Sequence, residues 1–86
     1  MPAVLVTILR GQVSITIDAP AHPEEQSAAL LDQLQGQLRR CGVEVTRQLS
    51  TRLYAYPADR DDVARLAEAC RVWLAGHGHQ VMVEDR

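Results

Sequence analysis

Hydrophobic and polar positions along this chain repeat one arrangement twice. An amphipathic helical stretch runs into glycine, and a Val-x-Val strand follows at once. The first copy spans Leu30 to Thr46 and ends Cys41-Gly42-Val43-Glu44-Val45. The second spans Val63 to Asp85 and passes through Gly76-His77-Gly78-His79-Gln80 into Val81-Met82-Val83. A β-hairpin pattern precedes each copy.

Residues 3–18 read as the first hairpin. Val13, Ile15 and Ile17 alternate with Ser14, Thr16 and Asp18, the signature of a half-buried strand. A turn at Arg10-Gly11 pairs Ile8 with Val13, Val6 with Ile15 and Val4 with Ile17, gathering β-branched residues on one face. The opposite face carries Leu5, Thr7, Leu9, Ser14 and Thr16, and is not fully polar.

The spacing of Leu31, Leu34, Leu38 and Cys41 predicts a helix from Pro23 or Glu24 to about Arg40, with Glu24 and Glu25 suiting its positive end and Gly42 its stop. Val43–Arg47 and Arg52–Tyr56 form a second hairpin around a Gln48-Leu49-Ser50 loop. Asp59 is the expected N-cap of a second helix, whose stripe is Val63, Leu66, Ala67, Cys70, Trp73 and Leu74 and whose stop is Gly76. Gln80–Glu84 is the last strand.

The expected fold is therefore an α+β two-layer sandwich of ββαββαβ order. A five-stranded sheet carries both helices on one face, in a single domain over 1–86. Without the first strand the remainder has the split β-α-β order of ferredoxin-like folds. In that order the next strand is central and already has two neighbours, so the hairpin requires a rearranged order, a strand displaced to an edge, or one exchanged with a partner. The similarity is one of topology and implies no function.

Composition narrows the chemistry. All nine basic residues are arginine, so this chain offers no lysine for a Schiff base, a pyridoxal-phosphate anchor or a P-loop. The formal net charge of −2 argues against a general polyanion binder. With no Phe, one Trp and two Tyr, the core must be aliphatic. Cys41 and Cys70 fall on the helical stripes and are expected as buried, reduced thiols. No basic leader precedes an apolar run and no run reaches membrane-spanning length, so the expectation is a cytoplasmic chain without membrane contact.

Three places could carry chemistry. His77 and His79, two residues apart, could bind a ligand or a metal given a third donor such as Glu84, Asp85 or His22. Asp59, Asp61 and Asp62 suit a cation, but the helix start already accounts for them. Arg52, Tyr54 and Tyr56 alternate on the outward face of the second hairpin, with Arg47 nearby. Tyr and Arg favour protein contacts, and the Gly-aromatic motif of an RNA-binding sheet is missing. No nucleophile elbow or phosphate-binding glycine loop is present.

These readings converge on a non-enzymatic interaction or regulatory module that needs no cofactor. It would form a homodimer or dock a protein partner through an exposed sheet face or edge, using Leu5, Leu9, Arg52, Tyr54, Tyr56 and Met82. The alternatives are a small-ligand or metal-responsive regulatory domain using His77 and His79, and a small enzyme assembled at a dimer interface around His22, His77 or His79.

Overall fold

The computed structural model describes residues 3–86. Strand β1 (Val4–Leu9) leads through a 3-10 turn, Arg10–Gln12, into β2 (Ser14–Asp18). Helix α1 (Glu24–Arg40) follows, then the hairpin β3 (Glu44–Leu49) and β4 (Arg52–Tyr56), helix α2 (Asp62–Gly76) and β5 (Val81–Asp85). The sheet order is β3-β4-β2-β1-β5, with only the β1–β5 pair parallel.

This order resolves the conflict posed by the N-terminal hairpin. In the split β-α-β arrangement the strand after the second helix lies beside the first. Here β1 is inserted between β2 and β5, and β5 stays the edge strand one place further out. Each strand keeps its direction, so both helices still cover one face. α1 lies over β3 and β4, and α2 lies over β1, β5 and β2.

The core forms between these layers. Val4, Val6, Ile15, Ile17, Leu53 and Ala55 rise from the sheet to meet Leu31 and Leu34 of α1 and Val63, Ala67, Cys70 and Leu74 of α2. Period-two alternation in the strands and a 3.6-residue stripe in the helices aim these side chains at one layer.

Several local features differ from the sequence expectation. The first hairpin pairs Ile8 with Ile15 and Val6 with Ile17, two residues away from the register of a tight Arg10-Gly11 turn. Its connection is longer, and Val13 sits in the left-handed region at φ 51°. A shift of two residues preserves strand faces, so the core residues are unchanged. In the second hairpin Leu49 belongs to β3, and an irregularity between Arg47 and Leu49 absorbs Gln48. Asp59 does not cap α2 with its side chain; its backbone carbonyl accepts from Asp62 N–H at 3.1 Å. Cys41 is exposed just beyond the end of α1, whereas Cys70 is buried.

The two helices end in the same way, although the junction after α2 remains one residue longer, four residues against three. Gly76 is the last residue of α2 and does not stop it. Gly42 at φ 80° and Gly78 at φ 84° occupy matching left-handed positions. Gly42 N–H donates to Arg39 O and Gly78 N–H to Ala75 O, each at 3.0 Å. Val43 N–H donates to Leu38 O at 3.0 Å and His79 N–H to Leu74 O at 3.2 Å. Both are Schellman closures. His77-Gly78-His79 thus occupies the place of Cys41-Gly42-Val43.

Candidate functional site: the helix-free sheet face

The six residues singled out for partner contact all lie on the sheet face away from the helices. Leu5 is paired with Met82 on one side and with Asp18 on the other, and Asp18 is paired with Arg52. Tyr54 and Tyr56 share the side of Arg52 by strand alternation. Leu9 is paired with Ser14, and Tyr56 with Glu44 on β3. The face therefore crosses every strand of the sheet.

Its relief follows from side-chain length. Thr7, Ser14 and Thr16 occupy the middle, and although no helix covers them they are 7%, 1% and 8% exposed. Longer neighbours shade them, Tyr54 beside Thr16 and Leu9 beside Ser14. Tyr56 and Met82 stand clear at opposite sides of this hydroxyl-lined trough, at 37% and 60% exposure. Arg52 bridges to Asp18, Nε to Oδ1 at 2.5 Å, and that hydrogen bond followed by the charge attraction raises the guanidinium pKa. The central cation is thus neutralised in place.

Arg47 does not belong to this face. It is paired with Leu53, a core residue, and turns toward the helices. Its Nε donates to Leu49 O, one terminal nitrogen to Asp32 and Gln35, and the other to Ala28 O and Ser50 O, at 2.7–3.3 Å. Every guanidinium N–H is used to tie the hairpin tip to α1.

Sequence alternation did not reveal the exposed apolar residues on the helix-facing side of the edge. Val83 shares the side of Val6, a buried residue, yet is 46% exposed, because β5 is the outer strand. Leu49 and Val72 are also exposed, at 54% each, at the hairpin tip and on α2.

The histidines separate. His77 stacks on Trp73, ring centroids 3.9 Å apart, and its Nδ1 lies 2.8 Å from Trp73 O. His79 instead lines a cleft of about 440 Å³ with His22, Pro20, Gln26 and Ser27, between the start of α1 and the loop before β5. Among the described residues, no group of three or more His, Cys, Asp or Glu side chains is placed to hold a metal ion. No helix is long and apolar enough to cross a membrane.

Neither a known family model, a curated protein nor a solved structure matches the chain.

Proposed function

We propose that this chain is a non-enzymatic protein-interaction module that associates through its helix-free sheet face. The supporting observation is the set Leu5, Leu9, Tyr54, Tyr56 and Met82 around a trough of short hydroxyl side chains, with no helix above it. Burying such a surface contributes roughly 25 cal/mol per Å² of apolar area. Tyr is a favoured anchor because it offers large contact area with few rotors, and Arg because its planar guanidinium both stacks and forms several hydrogen bonds. The Arg52–Asp18 pair adds polar character without an unpaired charge.

Self-association is the form to test first. Light scattering of the purified chain over a wide concentration range should show a dimer, and Leu5→Ser with Tyr54→Ser should weaken it about tenfold or more. A strict monomer at all concentrations, with both variants behaving identically, would remove the reading.

The cleft favours a second reading, a small-ligand regulatory domain. Its volume of about 440 Å³ falls within the usual range for ligand sites, and His22, Gln26, Ser27, His79 and Gln80 supply its polar lining. Native mass spectrometry of the freshly purified chain should then show a bound small molecule that His79→Ala releases.

A further inference from the structure

We propose that the partner is a second copy of this chain, joined antiparallel along β5 about a twofold axis centred on Met82. The inference rests on the interaction-module reading and adds the occupant, the edge and the register.

The β1–β5 ladder determines which backbone groups are free. Val4 N–H donates to Gln80 O, Arg86 N–H to Ile8 O and Arg10 N–H to Arg86 O. In a parallel ladder alternate residues of a strand turn both N–H and C=O toward the same neighbour. Gln80, Met82, Glu84 and Arg86 therefore face β1. Val81, Val83 and Asp85 point their N–H and C=O outward, where β5 has no neighbouring strand among the described residues. The opposite edge is blunted: β3 carries an irregularity at Gln48, and Arg47 folds across to α1. β5 has no bulge and no proline, and exposes Met82 and Val83 on its two sides. Such an edge invites another strand.

Side-chain chemistry selects the register. Centring the axis on Met82 sets Met82 opposite its own copy, Val81 opposite Val83, Gln80 opposite Glu84 and His79 opposite Asp85. Amide meets carboxylate and valine meets valine, while His79 lies before the start of β5 in the cleft and Asp85 keeps its partner Arg10. Moving the axis to Val83 sets Met82 against Glu84 and Val81 against Asp85, burying apolar groups against acids. Moving it to Glu84 opposes like charges, which destabilises a pair. In the Met82-centred register Val81 and Val83 are also the residues with outward N–H and C=O, so they exchange hydrogen bonds across the seam. The twofold axis is perpendicular to the sheet, so both helical layers stay on one side. The open faces then merge through Leu5 and Met82 of each copy.

Cross-linking tests this directly. Met82→Cys in a Cys41→Ser background should form a disulfide-linked dimer under mild oxidation. Residues opposed at such a non-hydrogen-bonded position have Cα atoms about 4.5 Å apart, within disulfide reach. Val83→Cys in the same background should not cross-link, since its copies lie diagonally, beyond about 7 Å. Val83→Pro removes only an outward N–H, so the monomer should keep its circular dichroism spectrum. Two symmetry-related hydrogen bonds are lost, and dimerisation should weaken roughly ten- to a hundredfold. Cross-linking at Val83 but not Met82 would overturn the register. A dimer that survives Val83→Pro, does not cross-link at Met82 and dissociates on Tyr54→Ser would overturn the edge and leave the sheet-face reading standing. A monomer at all concentrations would overturn the self-pairing.

Discussion

Arg10 and Asp85 join the turn after β1 to the end of β5: Nε lies 3.0 and 3.1 Å from the two carboxylate oxygens and a terminal nitrogen 2.8 Å from one of them. The guanidinium hydrogen bond holds the Asp85 carboxyl below its usual pKa of 3.8. A carboxyl lowered in the folded state contributes stability above its unfolded pKa and loses it as pH falls through the folded value. The Asp85 side-chain carboxyl resonance should therefore titrate below that usual value. Asp85→Asn should abolish that step, and a carboxyl titrating at its ordinary value would refute the pairing.

Arg47→Lys should destabilise the chain despite retaining the charge. A lysine ammonium cannot reproduce the planar fork that reaches Asp32, Ala28 O and Ser50 O together. Losing part of this network should cost about 1–2 kcal/mol. For a domain of this size that is roughly 4–16 °C in Tm, readable by calorimetry.

The two thiols should differ sharply in reactivity. Burial, and secondarily the charge of Cys41, push the Cys70 pKa up to about 12, so it holds almost no thiolate at neutral pH. Mass spectrometry after brief iodoacetamide treatment should show a single label, on Cys41. A second label should appear only in denaturant.

Gly36 and Gly78 should respond oppositely to alanine. Gly36 lies inside α1 with open space where a Cβ would go, so Gly36→Ala should stabilise by about 0.5–1 kcal/mol. Gly78 holds φ 84° at the end of α2, where a side chain is strained. Gly78→Ala should destabilise by about 1 kcal/mol. Denaturation midpoints moving in the same direction would contradict this assignment.

Local order was legible because alternation and helical spacing act within a few residues. Ile15, Ile17, Leu31 and Leu34 reach the core that their spacing implies. Leu5, Tyr54 and Met82 share the outer face for the same reason. What could not be read depends on partners distant in sequence or on unusual backbone. Insertion of β1 beside β5 is a pairing between opposite ends of the chain, which no local pattern encodes. Val13 at φ 51° lengthens the first turn although a β-branched residue disfavours that region. The His77-Gly78-His79 motif resembles a ligand loop on paper because its resemblance to Cys41-Gly42-Val43 lies in backbone hydrogen bonds, not side chains.

The parallel placement of β5 on β1 also determines how the chain bears tension. Val4 lies beside Val81 and Ile8 beside Asp85, so the polypeptide enters this ladder at one end and leaves at the other. Pulling on both ends slides the strands lengthwise, and the bonds from Gln80 O to Arg86 N–H share the load together. A hairpin pulled from its open end would release them one at a time. The β1–β5 ladder is thereby arranged to resist stretching in shear.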